Sequence, residues 1–239
     1  MSAHFAIPAT TFVLRAIIQE GLAKAYGALG TPPPVSIAPP PPRQDSGAAA
    51  PPPEATQVIL FLYHVQPNPA WRNMFDPTMD SSGNRASRAP LALDLHYVVA
   101  ATGPDLERET VLGTAVYALH RTGVVSRPLI KAILSSVVPP PMPTRLMDLL
   151  TTEPLDQQIE QITVTHQALD ADMLSRMWTA FQSPFRPSAG FLVTTVFLER
   201  PEVFPAAVPV KEVDVHARPD ASPRAPLPAD DRLVVDKGP

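Results

Sequence analysis

Proline decides where this chain can fold. It outnumbers glycine 32 to 10, and many prolines fall in three places: Pro32 to Pro53, Val138 to Pro143, and beyond Pro201. Each proline lacks a backbone N–H and fixes φ, so a cluster of them continues neither a helix nor a central strand. Regular elements must lie between the clusters. The first cluster, PPPVSIAPPPPRQDSGAAAPPP, has little apolar surface to offset its ordering entropy. It reads as a spacer within a Pro/Ala-rich connection over residues 32–56, with Val35 and Ile37 predicting a brief edge strand.

The segments between the breaks carry clear periodicities. Leu14, Ile17, Ile18, Gly21, Leu22 and Ala25 recur at helical spacing behind Thr10 and Thr11, either of which suits an N-cap. Residues 58–65, VILFLYHV, are apolar at nearly every position, the pattern of a strand covered on both faces. In residues 90–100, PLALDLHYVVA, the residues Leu91, Leu93, Leu95, Tyr97 and Val99 alternate with Ala92, Asp94, His96 and Val98, which predicts a strand with one strongly apolar face. A second helix opens at Gly103, Pro104 and Asp105, with Leu112, Ala115, Val116 and Leu119 as its buried stripe. A short third helix covers 126–135, and 144–150 forms a further turn. A strand over 159–167 follows, then a helix capped by Asp170 with Met173, Leu174, Met177, Trp178 and Phe181 on one face. The last strand covers 190–199.

This order predicts an α+β domain over residues 1–200: a mainly antiparallel mixed sheet of about four strands covered by helices. Residues 201–239 are rich in proline, alanine and charge, and read as an extended arm to about Val215 with a disordered tail after it.

Composition removes several classes of function. Cysteine is absent, which excludes disulfides, thiolate metal sites and thiol nucleophiles. A net charge of -4 lacks the basic excess with which phosphates are neutralised, so nucleic acid is not an expected partner. The first 26 residues lack a basic leader and are interrupted by Arg15, Gln19, Glu20 and Lys24, which fits an amphipathic helix and not a signal peptide. No stretch approaches the roughly 20 apolar residues of a membrane span. The expectation is a soluble, cytoplasmic protein without a membrane partner.

Catalytic and metal chemistry find weak footing. His64, His96 and His166 fall on strands, with Asp94 two residues before His96 on the same face, but no pair has the tight local spacing of metal ligands. Half-buried strand histidines are the simpler reading. Ser188 in FRPSAGF is the best-placed serine, with His166 or His96 as its base in a hydrolase reading, yet GxSxG is missing and Pro187 and Gly190 read as a turn. Neither a phosphate loop nor a dinucleotide fingerprint occurs, and no cofactor is expected.

Residues 67–88, PNPAWRNMFDPTMDSSGNRASR, are too long for a hairpin turn. They place Trp71, Met74 and Phe75 beside Arg72, Arg85 and Arg88, the residue types of interface hot spots. The competing reading folds Trp71 and Phe75 back onto their own domain. In the arm, Val203, Phe204, Val208, Val210, Val213 and Val215 supply an apolar series for docking on a neighbouring chain.

Several of these pieces recur together in one family. TTFVLRAIIQ, FLYHVQPNPAWRN, PLALDLHYVVAATG, AVYALH, QITVTHQALDADMLSRMWTAF and FRPSAGFLVTTVFLE, in that order, resemble the conserved domain of the cap, or tail-terminator, proteins of extracellular contractile injection systems, which are phage-tail-like particles. The resemblance implies a structural subunit and not an enzyme. It further implies a ring, a homohexamer, that closes the distal end of inner tube and sheath, with the tube and sheath proteins as partners, assembled in the cytoplasm into the particle. An adaptor or baseplate subunit of the same particle is the nearest alternative, and the hydrolase with Ser188 the one from another class.

Overall fold

The computed structural model describes residues 5–42, 54–71, 90–136, 155–158 and 161–198, together with short strands at 213–214 and 232–233. Helix α1 spans Ala6–Tyr26 and so starts earlier than the threonines suggest. Pro8 sits in the first turn, where backbone N–H groups have no intrahelical acceptor and its missing donor costs nothing. Thr10 and Thr11 are helix interior, returning their hydroxyls to the carbonyls of Ala6 (2.8 Å) and Ile7 (3.2 Å).

Six strands form one mixed sheet: β1 Val35–Ser36, β2 Gln57–Pro67, β3 Leu91–Thr102, β4 Val124–Val125, β5 Ile162–Gln167 and β6 Ser188–Leu198. Their spatial order is β1-β2-β3-β6-β5-β4, and every neighbouring pair is antiparallel except β1 with β2. The brief edge strand expected at Val35 is β1, while Ile37 lies beyond it and is exposed. The fold is the α+β class expected, with the two extra strands both two residues long and both at sheet edges.

Helices α2 (Asp105–Arg121) and α3 (Arg127–Ser135) join α1 on one face of the sheet. Leu93, Leu95, Tyr97, Val99 and Ala101 of β3 enter the core they share with Leu14, Ile18, Val111 and Leu119. Each large apolar side chain among them contributes on the order of 1.5–3 kcal/mol by leaving water. The buried stripe of α2 is Val111, Ala115, Ala118 and Leu119, with Leu112 and Val116 only partly covered. This rotation follows from a close helix crossing: a Cβ on Gly21 would lie 2.7 Å from the Cβ of Ala118, so the small residues set the contact. At the entry to α2, Gly103 has φ +132 and a Cβ there would meet Thr56, which only glycine avoids.

On the opposite face lies α4 (Ala171–Ala180), capped by Asp170, whose Oδ1 accepts from the Met173 N–H at 2.6 Å. Trp178 packs there with Ile59 and Ala100, flanked by Phe61, Leu174 and Phe181. Ala92, Asp94, His96 and Val98 of the same face are buried as well, so β3 is covered on both faces and not on one. The reverse holds for β2. It is fully buried only from Val58 to Leu60, and His64 and Val65 are exposed. The turn expected at 144–150 lies outside the described residues. Beyond the sheet, Val213–Asp214 pairs antiparallel with Arg232–Leu233, where the sequence predicts an arm and an unstructured tail.

Candidate functional site

Two irregularities shape the second sheet face. The β2–β3 register slips between Leu62 and His64, which makes Tyr63 an extra residue in β2. The β3–β6 register slips beside Asp94, which faces Thr194 and Thr195 together. Bulges re-aim side chains, and polar residues gather between these two.

Asp94 is 5% exposed and accepts from Asn68 Nδ2 at 2.7 Å. The other end of the Asn68 amide accepts the backbone N–H of Ala70 (2.9 Å) and of Trp71 (3.2 Å), while the Asn68 N–H donates to the Ala92 carbonyl at 2.9 Å. This is an Asx-type turn held from the sheet by a carboxylate. It sets Trp71 with its ring edge-on to Phe197, centroids 5.0 Å apart. Of the loop's proposed interface residues, Trp71 thus contacts its own domain. Arg72, Met74, Phe75, Arg85 and Arg88 lie outside the described residues, as do Val203, Phe204, Val208, Val210 and Val215. Val213 belongs to the short pair with Arg232–Leu233.

Further along the face, His96 is 6% exposed and its Nδ1 lies 2.7 Å from Gln167 Oε1. With the amide oxygen as acceptor, Nδ1 is the donor of this bond, and Nε2 is buried without a partner. The Tyr63 hydroxyl donates to the same Gln167 oxygen at 3.5 Å, and burial raises its pKa. The His64 ring stands 5.1 Å from that of His96 but is itself exposed, and His166 meets Phe191 edge-on at 5.4 Å. Among the described residues no group of three or more His, Cys, Asp or Glu side chains converges as a metal site.

Ser188 Oγ is buried and has no hydrogen-bond partner, so neither His166 nor His96 is placed to take its proton. Ser188 lies opposite Ala100, whereas His96 pairs with Leu192 and His166 with Phe191, several residues further along β6. Arg186 is a buried cation that holds structure together: it binds Glu54 and the Ser183 hydroxyl, and its guanidinium lies 5.9 Å from the Trp178 ring centroid. The contact ties the end of the proline-rich connection to the entry of β6.

Sequence reading missed the Asp94–Asn68 link and the His96–Gln167 link because both join residues distant in the chain. A local signal did exist for the first: asparagine before Pro-Ala-Trp is a turn former that bonds the backbone two and three residues on.

The surface offers loops, strand edges and a helical groove, without a catalytic constellation among the described residues. The family model for the Pvc16 N-terminal domain matches residues 9–212. The chain belongs to that family. Its match runs past β6 into the segment after the sheet. Among solved structures the chain is similar to the sheath/tube terminator of the PVC extracellular contractile injection system in its extended state, at 14% identity and TM-score 0.47, over 87% of this chain and 64% of that one. It is also similar to the tube-terminating cap of the anti-feeding prophage, at 13% identity and TM-score 0.43, over 76% of this chain and 55% of that one. The chain thus spans less than two thirds of the length of either solved chain. No curated protein matches it.

Proposed function

We propose that this protein is a structural cap, the subunit that ends the inner tube and contractile sheath of a phage-tail-like injection particle. The observation that carries the reading is membership of the Pvc16 N-terminal domain family over 9–212, which runs from the first turn of α1 through β6 to the start of the arm. The fold suits that role physically. A mixed sheet covered by helices on one face and by α4 on the other is a stiff body, and a cap must hold its shape when a sheath contracts. The partners in this reading are further copies of the chain, forming a homohexameric ring, and the tube and sheath proteins. Contacts are assigned to Arg72, Met74, Phe75, Arg85 and Arg88 in the loop and to Val203, Phe204, Val208, Val210, Val213 and Val215 in the arm, with Trp71 anchoring the loop's root. The role is non-enzymatic, and assembly takes place in the cytoplasm before any release. No described helix is long and apolar enough to cross a membrane.

The test is to label the chain and image particles by negative stain. Label at the end distal to the baseplate, with sheaths of irregular length when the chain is deleted, supports the reading. Label at the baseplate, or particles that keep normal ends without the chain, overturns it.

A further inference from the structure

The sheet face on the side of α4 carries a pair of histidines that the cap reading does not use. His64 of β2 and His96 of β3 are direct ladder partners, the first pair after the Tyr63 bulge, so both side chains leave the same face of the sheet. Their ring centroids lie 5.1 Å apart, with the ring planes inclined by 47°. His64 is exposed, whereas His96 is 6% exposed. A search for tight local spacing passes over this pair, because its members sit on different strands.

Gln167 fixes the buried ring. Its Oε1 lies 2.7 Å from His96 Nδ1 and also accepts from the Tyr63 hydroxyl. Gly190, the ladder partner of Gln167 on β6, has no side chain to stand between them. Strands β5 and β2 lie on opposite sides of β3. With Nδ1 turned to Gln167, the other edge of the ring, Cδ2 and Nε2, is therefore turned toward β2. A neutral imidazole that donates from Nδ1 has its lone pair on Nε2, and in His96 that nitrogen is buried with no partner. An acceptor buried in this way needs an explanation.

Metal-binding histidines are built like this: one ring nitrogen donates to an oxygen that sets the ring, and the other is left for the ion. The spacing agrees. A zinc–nitrogen bond of about 2.1 Å puts the ring centroid about 3.2 Å from the ion, so two rings at a tetrahedral angle stand about 5 Å apart. Asp94, two residues along the same face, is engaged by Asn68. Among the described residues no third His, Cys, Asp or Glu joins the pair. We propose that Nε2 of His96 and a ring nitrogen of His64 bind one late first-row divalent cation, of the zinc type that imidazole suits, with water in its remaining positions. The ion staples β2 to β3 where the bulge breaks their ladder, and steadies the strand end from which the Asn68 turn departs.

The site does not depend on the cap reading, and the isolated chain tests it. Zinc is titrated into the untagged full chain by calorimetry, with melting curves alongside. One zinc binds per chain, and Tm rises with zinc concentration, as for any ligand of the native state. His64→Gln, a surface change, removes both effects, and so does His96→Gln; His120→Gln and His166→Gln bind zinc like wild type. Gln167→Ala keeps both ligands and weakens binding by about 10- to 100-fold, as loss of a group that orients a ligand does. Where His96→Gln or Gln167→Ala melts well below wild type without zinc, electron spin resonance of bound copper(II) replaces them. It shows two histidine nitrogens in wild type and one in His64→Gln. Absence of binding at one zinc per chain, binding that survives His64→Gln unchanged, or the same nitrogen splitting in both proteins overturns the inference.

Discussion

Buried polar residues show best how single side chains act here. Asp94 alternates with the apolar residues of β3, and sequence alone assigns it to a lesser face. In the fold it is as buried as its neighbours and holds the Asn68 turn. Asp94→Ala leaves the Asn68 amide without its acceptor, so it should cost about 1–3 kcal/mol, close to the range of about 2–5 kcal/mol for Leu95→Ala. Chemical denaturation of both variants checks this, and an Asp94→Ala variant as stable as wild type would show that the turn does not depend on the carboxylate. Tyr97 carries a second prediction. It is wholly buried, and desolvation pushes its hydroxyl far up, opposed in part by the 2.8 Å hydrogen bond with Thr11 Oγ1. The folded pKa lies above the unfolded value of about 10, so the folded state keeps the proton longer. Its contribution to stability is therefore complete below about pH 10 and is lost as pH rises from there toward the folded value. Phenolate absorbance followed beside circular dichroism should show one of the four tyrosines ionising only as the fold melts, and Tyr97→Phe should remove that step. Complete ionisation of all four in a folded protein would contradict it.

Elements were legible in the sequence wherever a period of two or of 3.6 runs long enough to register. Strand β3, helix α4 with its Asp170 cap, and the final strand are where their patterns put them. The misses have physical causes. Helix α1 extends back through Pro8 because a proline in the first turn obstructs nothing, and the buried face of α2 is turned because Gly21 and Ala118 let two helices approach closely. Neither fact is local. The strands β1 and β4, two residues each, are too short to show any period and exist through their neighbours. Of the candidate site, the sequence offered Trp71 either as an interface residue or as folded back onto its own domain, and the structure shows its contact with Phe197; the Asp94–Asn68 link depends on how the loop after β2 returns to β3 and is not legible from periodicity. The helix crossing is itself testable. Gly21→Val should push α1 from α2 and cost about 1–3 kcal/mol by overpacking. Adding Ala118→Gly should recover part of that loss, since it removes the atom the new side chain strikes. Losses that simply add would mean the two residues are not in contact.

At the scale of the whole chain, the question is what the segment after the sheet does. The described buried residues of the main core run from Ala6 to Val196. Yet the family match continues to residue 212, fourteen residues past Leu198. Pro201, Pro205 and Pro209 in that segment cannot extend β6 as a central strand, so we propose that it serves contacts with neighbouring chains. Truncation after Arg200 should therefore leave a domain that melts cooperatively near the wild-type temperature, while particles carrying it lose regular ends and show frayed or overlong sheaths. Truncation after Ala217 removes Arg232–Leu233, the partner of Val213–Asp214. It asks whether that short pair matters: capping should persist, because the arm's apolar series ends at Val215. The comparison needs melting curves and particle lengths side by side. A domain that unfolds without residues 201–239 would make the arm part of the fold, whereas normal ends on particles carrying the shorter chain would move the contacts to the loop that Asn68 roots.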